Sequence, residues 1–350
     1  MKNTLRALPY LLSYLIPLSA VLSFSAGGVY SFGTLFFIFA LIPLTELILG
    51  TDDSNLPEEE YSVMKSKPVY YLLLWGQLAA VYFVLYSFLG FVSAEREVYE
   101  TLGAVFAAGI VMGGIGITVA HELIHRKELS HRFAGILLLI ATCYPHFYIE
   151  HIRGHHKNVA TDADPASAKK GEAVYTFLIK SVVLSYLSAW QLESERLRKK
   201  GHGIISVYNT MIYLHAGQFL LWGLIIHLYD LRVFGYYLAA SVIGFTLLEI
   251  VNYIEHYGLV RVMTDSGRPE KVSPVHSWNS NNYISRWFLF ELTRHADHHM
   301  NASREYQILR HFEKSPVHPT GYPGMILLAL IPPLWFRLMD PLINEFVKSE

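Results

Sequence analysis

The sequence predicts an all-α integral membrane bundle of six transmembrane helices with a histidine-rich end. Three observations carry that expectation. Hydrophobic residues make up 52% of the 350 residues and charged residues only 16%, with a formal net charge of −1. Six apolar runs approach the length of about 20 residues that a ~30 Å hydrocarbon core demands of a helix. Nine of the 17 histidines fall in four short clusters that follow or separate those runs. The balanced charge offers no basic excess for nucleic acid and no acidic tail. An aromatic content of 14% suits bilayer interfaces and an apolar channel. The single cysteine, Cys143, lies in an apolar run and reads as a small buried hydrophobe. It rules out an intrachain disulfide and any built-in rubredoxin or ferredoxin centre. Electrons for redox chemistry must therefore come from another protein.

The first span, 8–29, follows a start that carries Lys2 and Arg6. A cleaved signal peptide is the competing reading, since Ser25-Ala26-Gly27 resembles a cleavage site. The length of the run, and a second apolar run just after a Gly/Tyr/Ser turn, favour a membrane helix. Pro9 is tolerable at a helix start, whereas Pro17 should kink it. The second span, 32–49, completes a hairpin and ends at an acidic loop with Asp52, Asp53, Glu58, Glu59 and Glu60. The third span is 69–92 and the fourth 102–120. In the fourth, Gly109 and Gly113 form a small-xxx-small pair that permits close helix packing.

Residues 133–149 are also apolar, but a crossing there would put the first two histidine clusters on opposite faces of the membrane. The segment holds Pro145 and His146, and it reads as buried or re-entrant. Residues 173–190 carry Lys180 and run into the charged stretch 193–200, so they read as an interfacial helix. The spans 206–228 and 233–251 form a second hairpin, which returns the chain to the side it left. The run 325–336 is too short to span and contains Pro332 and Pro333. The whole chain, 1–350, reads as one membrane domain with histidine clusters in 121–156 and 252–299. Residues 300–350 are expected to form a cytoplasmic or interfacial segment. Lys65, Lys67, Arg126, Lys127, Lys169, Lys170, Arg198, Lys199 and Lys200 share the side of the clusters, while the outer links hold only Arg96 and Arg232. The positive-inside rule then places the clusters in the cytoplasm.

The clusters read His121-Glu122-Leu123-Ile124-His125, Glu150-His151-Ile152-Arg153-Gly154-His155-His156, Asn252-Tyr253-Ile254-Glu255-His256 and Arg294-His295-Ala296-Asp297-His298-His299. Neutral imidazole is the commonest metal ligand, so metal binding is the first hypothesis. His121 and His125 are four apart at a helix end and point from one face. His151 and His155 share that spacing, with His156 free to turn towards a second ion. His295, His298 and His299 stand at i, i+3 and i+4, and His256 closes the last span. Nine candidates exceed the four ligands of a tetrahedral zinc and suit two metals.

Glu122, Glu150, Glu255 and Asp297 each lie within two residues of a clustered histidine, where a carboxylate can accept the free ring N–H. Asn252 and His276 join them as supporting residues. The remaining histidines, His131, His202, His215, His227, His311 and His318, are expected at the surface or in packing. Taken alone, HELIH matches the zinc-protease pattern, but such a site needs only three protein ligands. A metal transporter would place ionisable ligands at mid-membrane depth rather than at the ends of spans.

The order HELIHR, EHIRGHH, NYIEHYG and LTRHADHH resembles the integral-membrane non-haem di-iron alkane monooxygenases. Further matching stretches lie at 162–165, 278–281 and 319–324. Arg126 and Thr293 depart from the usual Lys and Gln without removing a ligand. The resemblance implies two iron ions held by His121, His125, His151, His155, His156, His256, His295, His298 and His299. It implies O2-dependent terminal hydroxylation of n-alkanes to primary alcohols in a bacterial inner membrane, with electrons from NADH through a rubredoxin reductase and a rubredoxin. A hydroxylase or desaturase of acyl chains or aromatic methyl groups is the neighbouring alternative. Arg126, Lys127, Arg153, Lys157 and Arg294 are candidates for docking an acidic electron carrier. Phe36, Phe37 and Ile117 are candidate walls of the substrate tunnel.

Overall fold

The computed structural model describes residues 5–65 and 67–349, and among these the regular structure is entirely helical. Helix α1 (Leu8–Ala26) opens as a 3-10 turn and becomes α-helical at Leu15. Pro17 therefore falls in the first turn of the α-helical part, where a missing N–H leaves little unmade. Helix α2 (Gly28–Leu49) carries a π-turn over Phe37–Leu41, directly before Pro43. A π-turn absorbs the bond that proline cannot donate. It also resets the helical phase. Phe36, just before the π-turn, faces outward, 66% exposed, and is not a tunnel wall as expected, whereas Ile38 is buried. The acidic loop forms the short helix α3 (Glu58–Lys65).

Helices α4 (Pro68–Ser93) and α5 (Val98–Ile124) are the next two long apolar helices. A reciprocal capping box between Glu97 and Glu100 starts α5. Helix α5 is the axis of the bundle: 78% of its apolar stretch is buried, against 22% for α2. Its interior winds as a π-turn from Val111 to Ile117. Helix α6 (Leu129–Ala141) then runs back along α5 and stops at a turn where Cys143 takes a positive φ of 57°. Residues 147–158 form α7, which winds as Phe147–Glu150, a π-turn over His151–His155, and His156–Asn158. The α6–α7 pair enters the bundle and returns, because His125 and His151 meet at 3.0 Å. The apolar stretch 133–149 is thus no crossing.

Helix α8 (Val174–Lys199) exposes Ile179, Val183 and Leu187 along one face and ends in Arg196, Arg198 and Lys199. Helices α9 (Thr210–Leu228) and α10 (Leu231–His256) are capped by the Asn209 and Asp230 side chains. Short helices α11 (Tyr283–Phe288) and α12 (His295–Met300) follow. Helices α13 (Tyr322–Ala329) and α14 (Pro332–Ser349) meet at a bend of 119°, where Pro332 and Pro333 prevent a straight continuation. Among the described residues, six helices are long and apolar enough to cross a membrane, α1, α2, α4, α5, α9 and α10, and the bent pair α13–α14 would make a seventh if it were one span. Their outer faces carry Ile48, Leu72 and Leu220, all strongly exposed, as lipid-facing side chains are.

Helices α5 and α10 touch backbone to backbone. A Cβ on Gly113 would lie 2.2 Å from the Gly244 carbonyl oxygen, and one on Gly109 would lie 2.7 Å from that of Ala240. Small residues allow that approach where lipid removes any hydrophobic drive for helix association. A methyl group at Gly113 must push the two helices apart, a change of the kind that costs about 1–3 kcal/mol. Gly113→Ala is expected to lower the thermal midpoint of the solubilised protein by several degrees. Gly90→Ala, where a Cβ meets nothing within 4 Å, should leave it unchanged in the same melting assay.

Candidate metal centre

The four histidine clusters converge at one end of the bundle. His121 lies in the last turn of α5 and His125 just beyond it. Helix α7 supplies His151, His155 and His156. His256 is the last residue of α10, and α12 supplies His295, His298 and His299. The rings sort into two groups. His121, His125, His151, His156 and His298 form one; His155, His256, His295 and His299 form the other, with each group's candidate ligand atoms within 4.8 Å of one another. In the first group the Nε2 atoms of His125 and His151, His151 and His156, and His156 and His298 stand 3.0 Å apart. In the second, His295 Nε2 is 3.2 Å from His256 Nε2 and 2.8 Å from His299 Nε2.

These separations fit metal ligation. Bonds of about 2.1 Å at right angles put neighbouring nitrogens about 3.0 Å apart, and five donors already exceed a tetrahedral set. Imidazole nitrogens suit iron, copper, nickel and zinc. His155 shows the fit most directly. Its Nδ1 lies 2.9 Å from Asp164 Oδ2, while its buried Nε2 has no hydrogen-bond partner and turns to the second group. A carboxylate behind a ligating imidazole fixes the tautomer and raises its basicity.

The division between the two groups departs from helical spacing. His151 and His155 are four apart, yet they belong to different groups, and His151 pairs with His156. The π-turn over His151–His155 is the reason, since π winding brings i and i+5 onto one face. In α12 ordinary winding holds, so His295 and His299 share a group and His298 faces the other.

Burial keeps six of these rings neutral. It pushes His125 down to about 3, helped by Arg126, and holds His151, His156, His295, His298 and His299 well below the ordinary histidine range, with the neighbouring rings adding to the effect. Burial opposes protonation of His155 as well, but the Asp164 carboxylate carries its pKa up to about 9. Burial, with Asp164 nearby, raises Glu150 to about 8.

The supporting residues divide. Glu255 Oε2 stands 3.2 Å from His295 Nε2, and Tyr322 donates its hydroxyl to Glu255 Oε1 at 2.7 Å. Glu122 binds Arg126 at 2.6 Å and accepts the Tyr306 amide at 3.1 Å. Asp297 accepts the Arg310 amide at 2.9 Å and faces the Arg304 guanidinium at 3.2 Å. Glu122 and Asp297 therefore engage arginines. Glu150 faces a polar cleft with Tyr144, His146 and Glu249, and Asn252 donates to Glu249 at 3.2 Å. His276 accepts the Ser273 amide and faces Glu270 at 3.2 Å.

Two of the five basic docking candidates are buried. Arg126 donates to the Ser303 and Arg304 carbonyls, and Arg294 to those of Leu309 and Ser54. Each ties surface loops across the site, so neither is free for a carrier. Arg153 pairs with Glu193 at 2.7 Å. Lys127 and Lys157 remain exposed. His318, expected at the surface or in packing, is buried and stacks on Trp278. Asp164 is the residue that sequence reasoning missed. The signal lay in the 162–165 stretch, which was noted as a matching segment without a role.

An apolar cavity of about 980 Å³, its open mouth included, runs along α5 to the histidines. Ile16, Ile38, Phe39, Ile110, Ile117 and Leu247 line its body, and His121, His151, His295 and Glu255 line its end.

Comparison with known proteins accounts for this arrangement. A family model described as "Fatty acid desaturase" matches residues 99–322. Alkane 1-monooxygenase 2 of Pseudomonas aeruginosa is 43% identical over 89% of this chain and 84% of its own length. Alkane 1-monooxygenase 2 of Alcanivorax borkumensis is 38% identical over 96% and 89%. The chain belongs to the alkane 1-monooxygenase family. All four histidine clusters of this family member lie inside the matched region, so the desaturase-type match and the two histidine groups concern the same residues.

Asp164→Asn removes the acceptor behind His155 and is expected to weaken metal binding by about 10–100-fold, read as ions retained per chain after dialysis against graded chelator. A second expectation concerns pH. Rings whose folded pKa lies below the ordinary ~6.5 bind fewer protons folded than unfolded, so they favour folding above that value and oppose it as pH falls towards 3. His155 has the opposite sign, adding stability below ~6.5 that is lost as pH rises through about 9. The lowered rings outnumber it, so the thermal midpoint of the metal-free protein should fall between pH 6.5 and 5; a flat profile there would contradict neutral burial.

Proposed function

We propose that this chain is an alkane 1-monooxygenase that hydroxylates the terminal carbon of n-alkanes at two iron ions, held by His121, His125, His151, His156 and His298 and by His155, His256, His295 and His299. The observation that carries the reading is the apolar cavity that ends on rings from both histidine groups, His121 and His151 from one and His295 from the other. The relatives' names agree with it. An alkane has no polar handle, so a shaped apolar wall must do the selecting. Each buried methylene contributes only about 0.8 kcal/mol, and orientation comes from the histidine end.

Bound iron supplies activation of O2, so that one oxygen atom enters the C–H bond and the other leaves as water, consuming two electrons and two protons. The protein's residues do the rest. Ile16, Ile38, Ile42, Ile117 and Leu247 hold the alkane and exclude water along its length. Asp164 holds His155 in the tautomer whose Nε2 is free. Tyr322 holds Glu255 at the boundary between the cavity and the second histidine group. We assign the electron supply to a rubredoxin and an NADH-dependent rubredoxin reductase, since Cys143 alone cannot build an iron–sulfur or rubredoxin centre. We place the site on the cytoplasmic face of a bacterial inner membrane. The basic residues on the histidine side support that orientation, whereas Arg232 donates to the Ser93 carbonyl at the opposite end.

The deciding experiment is anaerobic purification with metal analysis, followed by reduction and addition of O2 with octane. Two irons per chain and 1-octanol are expected. One zinc and no octanol would overturn the reading in favour of a zinc hydrolase. His256→Ala should abolish turnover, whereas His202→Ala, a ring stacked on Tyr208 far along the chain, should keep it within about twofold of the parent, the usual range for surface changes.

A further inference from the structure

Two consecutive glycines in α5 have opposite surroundings. Gly113 is pressed against Gly244 of α10, so a Cβ there would collide with backbone. Gly114 lines the apolar cavity, and a Cβ built on it meets nothing within 4 Å. The space beside Gly114 is therefore cavity, not packing. Both glycines lie in the π-turn over Val111–Ile117.

The cavity's course along α5 can be read from the residues that line it: Ile110, Gly113, Gly114, Ile117, Thr118 and His121. They recur every three to four residues, which is one face of one helix. The histidine end is at His121 and the far end at Ile110. At about 1.5 Å per residue the stripe is roughly 16 Å long, with Gly114 roughly 10 Å from His121. An extended chain advances about 1.2 Å per bond. The stripe thus matches a chain of about thirteen bonds, and Gly114 stands beside about the eighth.

We infer that Gly114 sets the depth of the substrate cavity: its missing side chain is the space that admits the distal carbons of alkanes longer than about octane. The inference rests on the alkane reading above and deepens it by naming a residue that decides chain length. Ile16, Ile38, Ile42 and Ile110 already fill their share of the wall, and enlarging or trimming them disturbs packing on both sides. A side chain at 114 intrudes on the cavity alone. The segment beyond it, towards Ile110, would then be closed to a chain whose terminal methyl sits at the histidines. Each methylene kept out of an apolar cavity forfeits about a fourfold factor in kcat/KM, so a block that excludes several carbons has a large effect on long substrates and almost none on short ones.

The test compares octane with dodecane in the full-length, iron-loaded protein. Gly114→Leu is expected to lower the dodecane-to-octane ratio of kcat/KM at least tenfold, with octane losing much the smaller share. Gly114→Ala, whose methyl group meets no neighbour, should shift the ratio in the same direction by a smaller factor, and it carries the test if the leucine variant does not fold. A second readout needs no metal. In metal-free protein in nanodiscs, both alkanes should raise the thermal midpoint of the parent, while only octane should do so for Gly114→Leu. An unchanged ratio in both variants overturns the inference. So does an equal loss for the two alkanes, which would mean that position 114 serves the fold or the histidine end instead. If the parent itself makes no alcohol from either alkane, the functional reading fails. The alkane-dependent melting of the metal-free parent and variants then still decides whether Gly114 sets the depth.

Discussion

Nine imidazoles must stay neutral, dry and within a few ångströms of one another, and most of the fold follows from that constraint. Burial opposes imidazolium, and the crowding of rings opposes it further. Such a cluster is unfavourable until something cationic replaces the missing protons, so the chain has to force the rings together by other means. It does so by ending two long helices, α5 just past His121 and α10 at His256, and by bringing two short helical segments, α7 and α12, to the same place. The paired long helices α9 and α10 between the clusters and the in-and-out course of α6 and α7 are consequences. The buried arginines act in the same service: Arg126 and Arg294 bind the carbonyls of the loops that close over the rings.

Helix α5 performs three tasks along one length. Gly109 and Gly113 let it lie against α10. Ile110, Gly114, Ile117 and Thr118 give it a cavity face. His121 gives it a candidate metal ligand near its end. A π-turn over Val111–Ile117 lies within the same length. The same device recurs in α7, where it divides His151 and His155 between the two groups. Each π-turn spends a little backbone regularity at a place where side-chain direction matters more than helix geometry.

The helical class, the apolar spans and the grouping of nine histidines were legible from composition and local spacing. Apolar runs announce themselves by length, and nine clustered histidines stand out against a sparse background. The close approach of α5 to another helix was legible too, in Gly109 and Gly113, although its partner was not. What resisted was anything that depends on phase or on distant partners. Phe36 turns outward, and nothing in the residues 37–41 announces the π-turn that follows it. The i, i+4 rule assigned His151 and His155 to one ion for the same reason. Glu122 and Asp297 stand beside histidines in sequence but lie against arginines in space, while Asp164, nine residues from His155, bonds it.

By itself, then, the sequence determined which nine histidines the fold gathers at one end and which segments are long and apolar enough to lie in a membrane. Those properties are local: they depend on residue type and on spacing within a few turns of chain. Only the tertiary structure decided how the nine rings divide into five and four, which carboxylate supports which ring, and where an alkane-sized space meets them. Those outcomes depend on helical phase and on contacts between residues far apart in the chain, and neither is written in any single stretch of sequence.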